Sequence, residues 1–291
     1  AAHSVGATVL VLDEYPEPGG QYFKQLPRDF RVLDRERLGS DYTRGDLLLE
    51  KVKSSAVQIL NDALAWASFA PGTLEVVQKS QSIALAAKAI VVACGAYERP
   101  AVFPGWDLPG VMTPGGAQTL VKNQRTLPGD RIVLAGSGPF LMPVASTLLQ
   151  SGAQIVALCE ATTPAEWRRE MMGGITHLGR MCEAVAYGFR ILAARVPLRL
   201  GHVVLRAEGS DRLERVVISR CDSEGRVIPG TREVINADTL CVGYGFVPAV
   251  QMTRLLGCRH RYDPSLGGWV PEHNELMETS VKGVFVAGEV A

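Results

Sequence analysis

Apolar residues along this chain fall into short runs that end in glycine or in acidic side chains. The first run follows Gly6 and ends at Leu12, and Asp13 and Glu14 come directly after it. A short apolar run bounded by turn residues predicts a buried strand, and a glycine before it predicts the end of a helix. We therefore expect the last turn of a helix, a strand over residues 9–12 and two acids at the carboxyl end of that strand.

The same pattern recurs in the middle of the chain. The segment VGATVLVLDE (5–14) aligns without a gap with SGAQIVALCE (151–160), so that Glu14 matches Glu160. Self-similarity of this kind indicates that one supersecondary unit is repeated.

The second copy of this unit is complete. It begins with RIVLAGSGPFLMPVASTLLQ, which predicts a buried strand, a turn from Gly136 to Gly138, and a helix with Pro139 near its first position and Gly152 just past its end. Strand, glycine turn, helix, strand and acid form the fingerprint of a βαβ dinucleotide-binding unit. By the same spacing, the glycine loop of the first copy is expected about ten residues before Ala1.

A second pair of segments supports the duplication. AIVVACGAYERP (89–100) overlays DTLCVGYGFVPA (238–249), with Gly95 on Gly243 and Pro100 on Pro248. Each segment is an apolar run that ends in glycine and a proline-limited turn, as expected of a late strand in a doubly wound sheet. Two nucleotide-binding domains of related plan are therefore predicted.

Composition narrows the class of protein. Among 291 residues, 47% are apolar and 30 basic side chains balance 30 acidic ones, so no strong field is available to hold nucleic acid. No apolar run approaches the roughly 20 residues of a membrane-spanning helix. The six cysteines form no C-x-x-C pair, which favours free thiols in a reducing cytoplasm.

Four motifs, taken in order, resemble those of flavoproteins with two dinucleotide-binding domains. They are VLVLDEYPEPGGQY, VVACGAYERP, LAGSGPF and TSVKGVFVAGEVA. Within this superfamily, the segments GAYERPAVFPGWDLPGVMTPGGAQTL and GCRHRYDPSLGGWVPEHNELMETS look closest to the A-type subunit of opine oxidases, the B-type subunit of hydrogen cyanide synthase and the alpha subunit of dye-linked proline dehydrogenases. The resemblance implies an α/β fold of two Rossmann-like, doubly wound domains. It places a discontinuous FAD domain at 1–108 and 257–291 and an inserted NAD(P)-binding-like domain at 109–256.

The resemblance assigns the FAD contacts to segments after predicted strands. The acid at the end of the first strand is expected to bind the adenosine ribose, and the repeat favours Glu14 over Asp13 for this role. The alternative is that the acid is simply exposed to solvent at the end of the strand. Gly19, Gly20 and Gln21 are expected near the flavin, unless they form an ordinary turn.

Two later segments complete this predicted FAD site. Cys94, Gly95 and Ala96 would carry the chain past the cofactor, and Arg99 would contact phosphate or simply pair with Glu98. Near the other end, Gly288 and Glu289 resemble the motif whose acid bonds the ribityl chain, with a helix starting at Val290.

In the middle domain the resemblance assigns NAD contacts to four residues: Gly136, Gly138, Pro139 and Glu160. Leu141 occupies the position of the third fingerprint glycine, so a wider gap between helix and strand is expected. Pro143 is expected to disturb the first turns of the helix. NAD binding and a vestigial unit used for packing both remain open here.

Several other chemistries are disfavoured by residue spacing. Thiol-disulfide chemistry is disfavoured because no two cysteines have the spacing of a redox-active pair. A metal site at Cys258 and His260 is disfavoured because the sequence offers no second pair of ligands. The methionine-rich stretch at 169–181 is interpreted as a packing helix and not as a cofactor site.

The resemblance implies an FAD-dependent, electron-transferring subunit of a multi-subunit amino-acid or opine dehydrogenase, with no catalytic protein residue assigned. Its implied partners are a catalytic flavoprotein subunit, which acts on a small amine, and an iron-sulfur component. A cytoplasmic location, with membrane association only through partners, is expected. A stand-alone NAD(P)H-dependent flavin reductase and a nucleotide-free scaffold are the alternatives.

Overall fold

The structure is a computed structural model, and it describes residues 2–33, 40–166 and 178–291. The chain divides into two compact units, which we call unit 1 (residues 1–97 and 246–291) and unit 2 (residues 98–245). Unit 1 is therefore discontinuous in sequence and unit 2 is inserted into it. Each boundary lies eleven residues before the domain boundary predicted from the sequence.

The described helices are α1 (Ser40–Lys53), α2 (Pro114–Lys122), α3 (Leu141–Gln150), α4 (Leu178–Ala193) and α5 (Gln251–Leu255), with 3₁₀ turns at Ala2–Val5 and Pro264–Leu266. The described strands are β1 (Leu10–Leu12), β2 (Gln58–Leu60), β3 (Ala63–Ala67), β4 (Thr73–Gln78), β5 (Gln81–Ala86), β6 (Ile90–Val92), β7 (Ala96–Glu98), β8 (Val111–Met112), β9 (Arg131–Gly136), β10 (Gln154–Glu160), β11 (Leu198–Leu200), β12 (His202–Glu208), β13 (Arg215–Arg220), β14 (Glu233–Asn236), β15 (Thr239–Gly243), β16 (Phe246–Pro248), β17 (His260–Asp263), β18 (Gly268–Pro271) and β19 (Val284–Val286).

Unit 2 is built on a five-stranded parallel sheet with the order β11-β10-β9-β15-β8. Side chains of β9 alternate between its two faces: Ile132 and Leu134 pack with α2, α3 and α4, whereas Val133 and Ala135 pack with β13. Strands β12, β13 and β14 form an antiparallel meander on that second face. A central strand buried on both sides explains the continuous apolar run RIVLAG.

The helix after the glycine turn, α3, begins at Leu141. Its N-cap is Phe140, so Pro139 lies just outside the helix, two residues before its first position and close to where the sequence predicts it. Pro143 lies inside the first turn, where its missing N–H leaves no bond unmade. Leu141 itself is fully buried, so the position of the third fingerprint glycine contributes to the core.

Unit 1 contains the same kinds of element. Strands β1 and β2 form one parallel pair and β6 and β19 form another, and β3, β4 and β5 form an antiparallel meander. The core of unit 1 gathers on β6 and β19, around Ile90, Val92, Val284 and Val286. In the described part of unit 1 no strand lies between β1 and β6, whereas β9 joins the corresponding strands β10 and β15 of unit 2.

The internal repeat is confirmed in its local geometry. Gly6 and Gly152 both have positive φ, +89° and +87°. In each copy the glycine N–H bonds to the carbonyl three residues back, and the next N–H bonds to the carbonyl five residues back. This is the usual left-handed helix stop, although the turn before Gly6 is 3₁₀ and not α-helical. Both stops lead into a parallel strand: β1 ends at Leu12, two residues before Glu14, and β10 ends at Glu160.

The overlay of the late strands is wrong by two residues. Gly95 corresponds to Gly245 and not to Gly243, because Gly95 and Gly245 share positive φ (+73° and +95°) while Gly243 still belongs to β15. The hydrogen bonds agree: Ala249 N–H donates to the Gly95 carbonyl, and Arg99 N–H donates to the Gly245 carbonyl, both at 2.9 Å. Two glycines in one motif, Gly243 and Gly245, made the alignment ambiguous.

Within the described residues, no helix has both the length and the apolar character needed to cross a membrane.

Candidate functional site

The residues predicted to bind FAD in unit 1 follow the carboxyl ends of three strands, each of which belongs to a parallel pair. Asp13 and Glu14 follow β1, Cys94 and Gly95 follow β6, and the Gly288 segment follows β19. In open α/β sheets, ligands bind outside this edge. The structure therefore places these segments where the fold offers a site.

The two strand-end acids have different surroundings. The Asp13 carboxylate accepts a hydrogen bond from the Tyr15 N–H at 3.0 Å and so stabilises the turn after β1. The Glu14 side chain is exposed, and no residue in the described part of the chain donates a hydrogen bond to it. Glu14 is thus the acid with free acceptor capacity.

A lysine that the sequence reasoning missed lies beside Glu14. Desolvation lowers the pKa of the Lys24 ammonium, and the Glu14 charge partly offsets this. Lys24 Nζ lies 4.8 Å from the centre of the Tyr15 ring and donates to Gln21 Oε1 at 3.1 Å. Gln21 Nε2 in turn donates to the Tyr15 hydroxyl at 3.2 Å. The only sequence signal for Lys24 was its position three residues after Gln21.

Electrostatics also connects the ends of β1 and β6. Desolvation raises the pKa of the Cys94 thiol, and the negative charge of Glu14 raises it further. An effect of one charge on the other group requires proximity, so Glu14 and Cys94 lie near each other. The elevated pKa keeps Cys94 protonated, and a protonated thiol is a poor nucleophile.

The predicted glycines divide into two groups. A Cβ on Gly19 would lie 2.2 Å from the Phe23 carbonyl oxygen, so this glycine serves the turn itself. A Cβ on Gly20, Gly95 or Gly288 would meet no atom within 4 Å. These three positions present bare backbone to open space, as close approach of a ring or a phosphate requires.

The other predicted contacts have no comparable geometry. Glu289 is exposed in a turn that Ala291 N–H closes on the Gly288 carbonyl at 3.2 Å. Arg99 is exposed and belongs to unit 2. Glu98 accepts hydrogen bonds from Gly115 N–H at 2.9 and 3.0 Å, which stabilises the start of α2. Ala96 begins β7. The cofactor contacts of Arg99, Ala96 and Glu289 stay predictions.

These features fit an FAD adenosine and pyrophosphate. An uncommitted carboxylate ends β1, and bare backbone at Gly20, Gly95 and Gly288 leaves room beside it. Glu14 would hold the ribose hydroxyls, and the glycine segments would lie against the phosphates and the ring.

The corresponding acid of unit 2 is already engaged. Glu160 is 7% exposed and accepts hydrogen bonds from Gly138 N–H at 3.2 Å, from Thr162 N–H at 3.0 Å and from the Thr162 hydroxyl at 2.9 Å. Its carboxylate fixes the glycine loop to the end of β10. A ribose would have to share or replace these donors.

The glycine turn of unit 2 also combines two roles. A Cβ on Gly136 would lie 1.8 Å from the Gly243 carbonyl oxygen, so Gly136 permits close approach of β9 to β15. A Cβ on Gly138 would meet nothing within 4 Å, which leaves that backbone accessible. Pro139 follows in the turn before α3. Assignment of these residues to NAD stays a prediction.

Cys258 and His260 each have a hydrogen-bond partner within unit 1. Cys258 donates to Thr279 Oγ1 at 3.3 Å, and His260 Nε2 lies 2.9 Å from Thr253 Oγ1, so each has a threonine partner. Burial raises the pKa of the Cys159 thiol to about 12. The described residues contain five free cysteines and no cluster of ligands that could hold a metal ion. His177 and most of the methionine-rich stretch lie outside the described residues.

The sequence profile of the pyridine nucleotide-disulphide oxidoreductase family matches residues 21–291. The chain belongs to this family. Pyridine nucleotide-disulphide oxidoreductases use FAD together with NAD(P), which confirms the class of cofactor predicted from the motifs. Membership also confirms the α/β, two-domain Rossmann-like fold class.

Curated relatives within the family are named as parts of larger enzymes. The chain is 30% identical to the A subunit of opine oxidase from Rhizobium meliloti, over 99% of this chain and 55% of that protein. It is 29% identical to HcnB, a hydrogen cyanide synthase subunit of Pseudomonas aeruginosa, over 98% of this chain and 62% of that protein. The chain thus spans a little over half the length of these relatives, and it is related to the subgroup that its motifs resemble.

Among solved structures, L-proline dehydrogenase from P. horikoshii matches with a TM-score of 0.65 and 18% identity, over 99% of this chain and 46% of that chain. At this identity the match shows a shared fold.

Proposed function

We propose that the chain is the FAD-binding, electron-transferring part of a multi-subunit dehydrogenase or oxidase that acts on an amino acid or an opine. In this proposal unit 1 binds FAD, and the amine is oxidised on a companion subunit. An iron-sulfur component is the further partner, and the assembly is cytoplasmic.

The observation that carries the proposal is the contrast between Glu14 and Glu160. The two acids occupy matched positions in the repeat, yet only the Glu14 carboxylate is uncommitted in the described residues. A carboxylate at this strand end accepts the ribose hydroxyls of a dinucleotide. Unit 1 therefore offers the better nucleotide acceptor.

FAD supplies a ring that can take up and release electrons when it is bound. The residues of this chain bind and orient it. Glu14 holds the ribose, while Gly20, Gly95 and Gly288 let the backbone lie against the cofactor without a Cβ. Desolvation lowers the pKa of Lys24 and the charge of Glu14 partly offsets this, so Lys24 supplies a cation near that carboxylate. The raised pKa keeps the Cys94 thiol protonated, so Cys94 does not act as a nucleophile.

The role as one part of an assembly rests on the relatives and on cysteine spacing. The A subunit of opine oxidase and HcnB are both named as components of larger enzymes. The six cysteines contain no C-x-x-C or C-x-x-x-x-C pair, so the chain lacks the dithiol of the disulfide reductases. Electron transfer to a partner is the role left for its flavin.

A stand-alone NAD(P)H-dependent flavin reductase is the second candidate. The complete βαβ unit from β9 to β10 and the accessible backbone at Gly138 favour it.

Flavin retention tests the binding site. Glu14→Gln in the full-length chain is expected to lower the flavin released per chain on denaturation by about tenfold, because the ribose loses a charged acceptor. Asp13→Asn is the matched control, since an amide oxygen can still accept from Tyr15 N–H, and it should retain flavin. Equal flavin content in the two variants would contradict the role of Glu14.

Bleaching of the flavin separates the two candidate functions. Under the proposal, NADH alone leaves the flavin oxidised, and bleaching requires an amine together with the companion subunit. Rapid bleaching by NADH without any partner would support the reductase instead.

A further inference from the structure

The two strand-end acids of the repeat differ in the residues that follow them. When the gap-free alignment of Glu14 with Glu160 is continued by two residues, Pro16 matches Thr162. A threonine offers an N–H and a hydroxyl as hydrogen-bond donors, whereas a proline has neither. The position two residues after the acid therefore carries two donors in unit 2 and none in unit 1.

Thr162 uses both donors on the Glu160 carboxylate. Its N–H lies 3.0 Å and its hydroxyl 2.9 Å from the same oxygen, Oε1. The Thr162 carbonyl accepts a hydrogen bond from the Gly201 N–H at 3.0 Å, which fixes the threonine to the chain just before β12. The other carboxylate oxygen, Oε2, accepts from the Gly138 N–H at 3.2 Å. Glu160 is therefore held between the glycine turn and Thr162, and it is largely buried.

The glycine turn of unit 2 has its own N–H groups engaged as well. The Gly138 N–H donates to Glu160. The Ser137 N–H donates to the Gly243 carbonyl at 3.1 Å, and Pro139 has no N–H. A phosphate at the start of a helix is held by backbone N–H groups that point at it. A dinucleotide would therefore have to replace contacts made within unit 2, both at its ribose and at its phosphates.

Unit 1 uses the corresponding groups differently. The Tyr15 N–H donates to the Asp13 carboxylate at 3.0 Å, and Pro16 offers only its carbonyl, which accepts from Arg28 Nη2 at 2.6 Å. Among the described residues, none donates a hydrogen bond to the exposed Glu14 carboxylate. The strand-end acid is thus uncommitted where proline follows it and engaged where threonine follows it.

We propose that Thr162 is a positioning residue that holds Glu160 away from a nucleotide, so that unit 2 binds NAD(H) only weakly. The residue two positions after the strand-end acid then decides which unit accepts a ribose. The family uses NAD(P) together with FAD, and the engaged carboxylate of unit 2 does not fit the NAD(P) ribose. One consequence rests on the proposed function and deepens it: electrons reach the flavin from the companion subunit and not from NAD(P)H on unit 2.

Calorimetric titration of the full-length chain with NAD⁺ tests the role of Thr162. NAD⁺ cannot reduce a flavin, so the heat reports binding alone. We expect the wild type to bind with a Kd above about 1 mM. Thr162→Val keeps the side-chain shape and the N–H but removes the hydroxyl, and it should bind about tenfold tighter because one competing bond to a charged acceptor is lost. Thr162→Ser keeps a hydroxyl and should behave like the wild type.

Thr163→Val is the matched control for this titration. Thr163 contacts Glu166 Oε2 through the same pair of donors, with its N–H at 3.0 Å and its hydroxyl at 2.6 Å. Its loss should leave NAD⁺ affinity unchanged. A micromolar Kd for the wild type, or equal affinities of the wild type and Thr162→Val, would overturn the proposal. The wild-type titration decides even where a variant fails to fold.

The reciprocal exchange in unit 1 tests the same rule with a different readout. Pro16→Thr supplies the missing donors, so it should engage Glu14 and lower the flavin released per chain on denaturation several-fold. Pro16→Ala adds the N–H without the hydroxyl and should lower it less. Unchanged flavin in Pro16→Thr contradicts the rule. A wild-type chain without flavin would instead refute the proposed function, and the NAD⁺ titration would still decide the role of Thr162.

Discussion

Gly136 and Gly138 offer a sharp test of what the glycine turn in unit 2 does. Both belong to the predicted dinucleotide motif, but their surroundings differ. A Cβ on Gly136 would lie 1.8 Å from the Gly243 carbonyl oxygen and 2.8 Å from its carbon, while a Cβ on Gly138 would meet nothing within 4 Å. Replacing either glycine with alanine adds the same methyl group, which has no room at Gly136 and ample room at Gly138.

The size of the effect follows from these distances. Real Cβ atoms do not approach a backbone oxygen within 3.0 Å, so Gly136→Ala must separate β9 from β15 by more than 1 Å. Both strands are central, and the Ser137 N–H bond to the Gly243 carbonyl at 3.1 Å would be lost. We expect a loss of about 4 kcal/mol, at the upper end for point substitutions. Gly138→Ala incurs only the cost of a positive φ, about 1–2 kcal/mol.

Urea denaturation of the two variants, followed by far-UV circular dichroism, measures this difference. With a native stability of about 5–15 kcal/mol, Gly136→Ala should unfold at much lower urea concentration, and Gly138→Ala should stay close to wild type. If nucleotide contact were the reason for both glycines, the two variants would be similarly stable without ligand. Equal midpoints would therefore refute the assignment of Gly136 to strand packing.

Two further predictions concern titratable groups. Cys94 should react with a maleimide more slowly than a free thiol at pH 8, because desolvation and the charge of Glu14 raise the pKa of its thiol. Glu14→Gln removes that charge and should therefore speed the reaction. An unchanged rate would show that Glu14 does not affect the Cys94 thiol. Bonds from Ser265 and Arg261 lower the pKa of the Asp263 carboxyl from 3.8 to about 2. The stability that this carboxylate contributes is therefore present above about pH 4 and lost as the pH falls toward 2. In Asp263→Asn, the free energy of unfolding should fall less steeply between about pH 4 and pH 2 than in the wild type. An unchanged pH dependence over that range would contradict the lowered pKa of Asp263.

The sequence predicted the repeated βαβ plan because its signals are local. Gly6 and Gly152 must end a helix, and the apolar runs before Glu14 and Glu160 must be strands, whatever surrounds them. The same reasoning aligned Gly95 with the wrong glycine, since spacing alone does not distinguish Gly243 inside a strand from Gly245 after it. It placed Pro139 near the start of the helix, and α3 begins two residues later, at Leu141, which is buried in the core.

The site was less predictable than the fold. Sequence position made Glu14 and Glu160 equivalent, but hydrogen bonds from Gly138 and Thr162 engage only Glu160. Lys24 near Glu14 depends on how the chain turns back after β1, for which no motif gave a signal. Side chains brought together by the tertiary fold are invisible to periodicity, which reports only the face on which each residue lies.

The two chain crossings between the units have a consequence for engineering and ancestry. The Arg99 N–H and the Gly245 carbonyl are 2.9 Å apart, so the two ends of the inserted unit are already neighbours. The Ala249 N–H and the Gly95 carbonyl are equally close, so the ends left behind by an excision are neighbours as well. One compact unit could thus be removed, circularly permuted or exchanged for a foreign module through a short splice, as tolerated insertions generally require. Such adjacency is what a past event of gene insertion would have needed.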